Sequence, residues 1–190
     1  MTTNVYVIGP NYSVPNDALI INTTSRSSNW SRGLSPFVLG PVELYDGYVA
    51  KNVENAWQYS KFYEYYAESD GSIGERYFKW ARDGWNNPRA VRRPMDREAV
   101  PLCAYWAGER LSYIEARKKI YMPLYAGAVK KSAAFAKLQS VAEKHDVYLW
   151  DFDGYNHKEL NLSYEDVINN PHRSMGHGFV VAMLLEGYLK

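Results

Sequence analysis

Glu54, Gln58, Lys61 and Tyr65 recur at i, i+4, i+7 and i+11, the spacing that draws side chains into one stripe along an α-helix. The stripe runs beside an apolar set, Val53, Trp57 and Tyr63. A polar stripe on the edge of a buried face rims a cleft; its alternative is a solvated helix edge. Glu54 and Lys61 stand two turns apart, roughly 10 Å at 1.5 Å per residue, too far to be simply each other's ion-pair partner. Further along, Asp151 and Asp153 follow the β-branched and aromatic run Val147 to Trp150. In extended backbone they share one face. Asp153 also precedes Gly154, where an aspartate is most often a turn cap. A third polar concentration spans 22–33, with hydroxyls, amides, Trp30, Arg26 and Arg32. It reads either as a mobile loop or as a ligand clamp, since these are the groups that phosphate and ribose need.

The elements that must hold these residues follow from periodicity. Val5–Ile8 and Ala18–Ile21 read as strands, and Phe37–Leu44 as a strand bent at Gly40-Pro41 before an Asp46-Gly47 turn. The pattern then becomes helical: 52–67 with Asn52 as N-cap, 72–85 stopped by Asn86-Asn87-Pro88, 109–130 with a kink at Pro123, and 132–144 capped by Ser132. Val147–Trp150 is a strand, Ser163-Tyr-Glu-Asp166 has capping-box form, and a last helix runs over 178–189. The sum is a single α+β domain over 1–190, mostly helical with a small sheet.

Composition narrows the class. The 22 basic and 21 acidic residues leave +1, which argues against a dedicated nucleic-acid coat protein but leaves room for a local basic patch. Aromatic residues reach 15%, with 17 Tyr and 6 Trp, types that suit clefts and stacking platforms as well as cores. The single cysteine, Cys103, excludes an internal disulfide and fits a reducing, cytoplasmic compartment. No signal peptide and no membrane span are read, and no membrane partner is expected. The histidines 145, 157, 172 and 177 lack zinc spacing, so no metal is expected. Asp151-x-Asp153 would serve a metal-dependent glycosyltransferase only within a larger domain of parallel βαβ units, for which the chain lacks length and pattern. Neither a Gly-rich phosphate loop nor a Gly-x-Ser-x-Gly nucleophile is present.

One family matches the order of these segments. Asp46-Gly47 followed by Glu54, Gln58, Lys61 and Phe62 resembles the NADAR (YbiA-like) family. Upstream, Gly33-Leu34-Ser35-Pro36-Phe37 resembles its Leu-Ser-Asn-Phe element, with Pro36 in place of Asn. Downstream, Arg82-Asp83-Gly84-Trp85 and Met95 resemble its Arg-x-Asp-Trp…Met segment, with Gly84 inserted. Ser174-Met-Gly-His-Gly178 and Val181-Ala-Met183 loosely resemble its last helix start. The resemblance covers 33–185 and is that of a remote, divergent member.

It implies a NADAR-like fold and an N-glycosidase that cleaves the ribosyl C1–N bond of ADP-ribose-like or ribosylamine-like nucleotides without metal or cofactor. Such cleavage develops positive charge on the ribose and negative charge on the leaving nitrogen, which two carboxyl groups can answer. Glu54 is implied as base or electrostatic stabiliser, ionised by its place in the first helical turn. Asp153 or Asp151 is implied as the second carboxylate. Gln58, Lys61, Trp57, Trp85, Ser35, Arg26 and Arg82 are the implied substrate-binding set, Trp85 (or failing it Trp80) stacking on the base; Arg32 is a further phosphate candidate. Trp80 itself reads as core. The alternatives are a non-catalytic module that binds a nucleotide such as ADP-ribose, and an accessory protein of nucleic-acid modification that stacks bases, with an ADP-ribosylated nucleic acid as partner.

Overall fold

The largest sheet has three parallel strands. In the computed structural model, which describes residues 3–190, β1 (Val5–Ile8) and β2 (Leu19–Asn22) flank the late strand β8 (Val147–Trp150). Val7, Leu149 and Ile21 lie in register and buried on the inner face, while Tyr6, Tyr148 and Ile20 form a row on the outer face. The alternation in β8 is what the period-2 reading requires. A hairpin joins β3 (Val42–Glu43) to β4 (Val49–Ala50) through Asp46 and Gly47, both at positive φ. A second, antiparallel sheet orders β5 (Lys61–Phe62), β6 (Cys103–Trp106) and β7 (Glu109–Leu111).

The helices are α1 (Val53–Gln58), α2 (Glu75–Asn86), α3 (Tyr113–Ala116), α4 (Met122–Val129), α5 (Ala133–Ala142), α6 (Tyr164–Asn169) and α7 (His177–Leu185). Caps define most of their starts. Asn52, Ser112, Ser132 and Ser163 each accept an N–H bond from the residue three on. Asp166 completes the capping box of α6 as read from sequence. α7 is apolar on all sides because it is the core helix, packed between β1 and α4. One apolar cluster runs through the parallel sheet and α1, α2, α4, α5 and α7. Helix occupies about 36% of the chain, so the class is mixed α+β, less helical than the periodicity indicates. No helix among the described residues is long and apolar enough to cross a membrane.

Three expected elements come out differently. The strand expected over 37–44 is reduced to Val42–Glu43, because residues 35–39 turn back on themselves through Val38 and Leu39 N–H bonds to the Ser35 carbonyl. The helix expected over 52–67 stops at Gln58. Lys61 and Phe62 pair instead with Ala104 and Cys103 of β6, a partnership too distant in sequence for any local window. Tyr65 therefore leaves the stripe and stands 69% exposed. The helix expected over 109–130 is a strand, a short helix, a π-helical turn at Arg117–Tyr121, and then α4, with Pro123 in the first turn of α4. The parallel sheet itself was hidden because its strands are four residues long and its central one comes last.

Candidate active site

The cavity opens at the carboxyl end of the parallel sheet, where ligand sites form in sheets of this kind. Its volume is about 510 Å³, inside the roughly 300–1,000 Å³ common for small-molecule sites. β2 delivers Thr24, Ser25 and Arg26; β8 delivers Asp151, Phe152 and Asp153; α1 delivers Glu54, Trp57 and Gln58. The π-helical turn supplies Arg117 and Tyr121, and the start of α7 supplies His177. A π turn offsets the side chains around it, and such turns concentrate at functional sites.

Glu54 is 6% exposed and lies against this cavity. Gln58 Nε2 donates to Glu54 Oε1 at 2.9 Å, and Lys61 Nζ donates to Gln58 Oε1 at 2.7 Å. The carboxamide thus stands between carboxylate and ammonium and fixes both. The two charges are not direct partners, as the spacing requires, although Lys61 reaches Gln58 from a strand and not from the helix. Oε2 of Glu54 has no hydrogen-bond partner among the described residues. Burial raises the Glu54 carboxyl above its ordinary value, with Gln58, Lys61, Arg92 and His177 opposing. Burial thus works against the ionised form that a place in the first helical turn favours. Burial also draws the Lys61 ammonium down to about 8, against the pull of Glu54.

The two late aspartates separate into different tasks. Asp151 is 3% exposed, and both its oxygens are engaged. Oδ2 accepts the Gly178 N–H at 2.8 Å at the start of α7, and Oδ1 accepts the Asp153 N–H at 3.2 Å. His177 Nδ1 lies 3.1 Å from Oδ2, and its Nε2 lies 2.9 Å from the Thr23 carbonyl oxygen. Each ring nitrogen faces an oxygen acceptor. Asp151 thus anchors α7 and holds His177. Asp153 is half-buried at the cavity and ion-paired with Arg92 at 3.1 Å. Burial raises its carboxyl, Arg92 lowers it, and Asp151 raises it again.

Aromatic rings close one side. Trp57 lies 5.3 Å from Tyr121 and 6.4 Å from Tyr113 between centroids, with Lys61 Nζ 5.2 Å from the Trp57 ring centre. Arg26 stacks over Phe152 at 5.0 Å. The Tyr121 hydroxyl is held protonated by burial and by the nearby Asp151 and Glu54 charges.

Of the residues read as a site, Glu54, Asp151, Asp153, Gln58, Lys61, Trp57, Arg26 and Ser35 converge on this cavity. Trp85 does not: it is 1% exposed in the core against Tyr45 and Tyr48, on the side of α2 that packs under β4. Arg82, one turn before Trp85 on α2, is partly exposed and paired with Glu75, outside the cavity. Arg32 is exposed outside the cavity. Trp80 packs among Tyr59, Tyr63 and Tyr66, as its core reading requires. Gly84 lies where the Tyr59 ring leaves no room for a Cβ, which accounts for a glycine at that point in α2.

Sequence reading missed the segment 92–101, which brings Arg92, Arg93 and Arg97 to the cavity, and it missed Tyr121, Arg117 and His177. The Arg92-Arg93 doublet before Pro94 was the available signal. Arg117, 2% exposed, donates to the carbonyls of Val167, Ile168, Asn170 and Arg173 and fixes the strap leading into α7. Six Lys and Arg line the cavity against four carboxylates, so it is locally basic in a nearly neutral chain. No group of three or more His, Cys, Asp or Glu among the described residues is arranged to hold a metal ion.

A family model described as a family of unknown function (DUF6939) matches residues 11–167. No curated protein and no solved structure matches the chain.

Proposed function

We propose, from the premise that this chain belongs to the DUF6939 family and that the family is one of unknown function, that the cavity hydrolyses a ribosyl C1–N bond in an ADP-ribose-like or otherwise ribosylated nucleotide. The observation that carries the reading is Glu54: a buried carboxyl on a basic, aromatic-walled cavity, held through one oxygen by Gln58, which Lys61 holds in turn, with the other oxygen unengaged among the described residues. The likeness to the NADAR family over 33–185 belongs to the same proposal, as a remote relationship.

In this reading a water molecule attacks C1 as the C1–N bond breaks. Glu54 takes the proton of that water and stabilises the positive charge growing on the ribose. Asp153, the second carboxyl open to the cavity, gives a proton to the departing nitrogen. The products are the ribose with a C1 hydroxyl and the base carrying N–H. Arg26 and Arg93 hold the anionic part of the substrate, and Trp57 or Tyr121 stacks on a ring. The compartment in this proposal is the cytoplasm, which suits a chain with a single cysteine.

The test is a panel of ADP-ribosylated nucleic acids, NAD-like compounds and ribosylamine pyrimidines, read for released base by mass spectrometry beside Glu54→Gln. Release by the wild type and its loss in Glu54→Gln support the hydrolase. No release from any member, with ADP-ribose still raising the melting temperature, overturns it in favour of a binding module.

A further inference from the structure

The segment 92–101 contains neither helix nor strand, yet it forms a whole side of the cavity, with Arg93, Met95 and Arg97 among the lining residues. Its two roots are firmly tied. Asn55, fully buried in α1, donates to the carbonyls of Asn87 and Arg89 at 2.9 and 3.0 Å and accepts the Val91 N–H at 2.8 Å. At the far root the Leu102 N–H reaches the Phe62 carbonyl at 2.8 Å. Between the roots one hydrogen bond is internal, Ala99 N–H to Asp96, and among the described residues one polar contact reaches the rest of the protein: Arg92 to Asp153 at 3.1 Å. Arg92 also lies over the Phe152 ring at 5.8 Å. Val100, near the far root, is 81% exposed, and the other apolar residues of the segment, Pro94, Met95, Ala99 and Pro101, are only partly buried.

Firm roots, a backbone with one internal hydrogen bond and one side-chain tie across a cavity are the features of a segment that opens by local unfolding. We propose that residues 92–101 are a lid on the candidate active site and that the Arg92–Asp153 ion pair is its latch. The lid rests on the cavity being the site, but not on the chemistry assigned to it. An anionic group entering the cavity competes with Asp153 for Arg92. The latch therefore ties access to the pocket to the charge of what enters it.

The experiment is limited trypsin digestion of the full chain, following cleavage after Arg97 by mass spectrometry. Cleavage reports the open population when reclosing is fast. Both partners are partly exposed, so losing the pair speeds cleavage about two- to fivefold in Arg92→Ala and in Asp153→Asn. Salt at about 0.5 M speeds the wild type, measured against a free peptide control, and leaves both variants unchanged. The exchange of charges, Arg92→Asp with Asp153→Arg, restores slow cleavage. Equal rates in wild type and variants, or a wild-type rate indifferent to salt, overturn the latch. Hydrolysis with equal cleavage rates would strike the lid alone. A latch effect without hydrolysis would strike the enzyme reading alone.

Discussion

A methyl group on Gly176 would stand 2.2 Å from Oδ2 of Asp151. The carboxylate can reach the start of α7 only because residue 176 has no side chain, and the same oxygen accepts the Gly178 N–H and faces His177. The helix end, the imidazole and the turn bearing Asp153 are fixed by this one approach. Gly176→Ala must displace Asp151, at a cost of about 1–3 kcal/mol typical of overpacking. A lowered melting temperature checks it; an unchanged one would mean that Asp151 is free to move.

Glu54→Gln separates stability from activity. The amide keeps the size of the side chain and removes a buried charge that desolvation disfavours. The variant melts no lower than the wild type, while the proposed hydrolysis falls about 10²–10⁴-fold, the usual contribution of a positioned acid or base. A destabilised Glu54→Gln would indicate that the carboxylate is needed to hold the fold.

Arg26 and Arg82 test where the site ends. Arg26 stands at the cavity over Phe152, and Arg82 stands away from it on α2. Arg26→Ala weakens ADP-ribose binding at least severalfold, and Arg82→Ala leaves it unchanged, as read by calorimetry. Equal losses would move the site toward α2.

These two arginines also mark what local pattern can reveal. Asn52, Ser132 and Ser163 are legible as caps because a cap concerns residues three apart. Glu54 and Gln58 are legible as neighbours for the same reason. Lys61 reaches the right place by an unforeseen route, since the pairing of β5 with β6 overrides a good helical period. Trp85 and Arg82 are three apart on α2, and sequence does not say which side of that helix meets the core. The arginines of 92–101 are invisible to periodicity because the segment has none.

His157 gives a stability test at acidic pH. It is buried against Tyr164 and Phe179, its Nδ1 is without a partner among the described residues, and burial lowers its pKa, with Lys158 adding to the effect. An unfolded histidine takes up its proton near pH 6.5, about the ordinary value; the folded one does so only lower. Between those points the unfolded chain binds more protons, so this stability is whole above pH ~6.5 and drains away as pH falls through the lower folded value. His157→Phe flattens the melting temperature between about pH 5 and 7 relative to the wild type; identical profiles would show that another group governs acid stability.

Lys61 acts at the other end of the scale. Its folded pKa of about 8 lies below the unfolded one, so above pH 8 the unfolded chain holds the extra proton. Stability from this group therefore rises with pH over about 8 to 9.5, below the range in which unfolded tyrosines ionise. The difference in denaturant midpoint between wild type and Lys61→Met carries that slope, and a flat difference would show an ordinary lysine.

The middle strand of the parallel sheet, β8, begins at residue 147, whereas its neighbours β1 and β2 are complete by residue 22. During synthesis the first two strands emerge with nothing between them and wait for more than a hundred further residues. Closure of the sheet is thus a late, long-range event, and such events are slow. The hollow at the sheet's carboxyl end comes into being at that moment and no sooner. A ribosome-bound chain halted before β8 would hold Glu54 already, but no place for it to work.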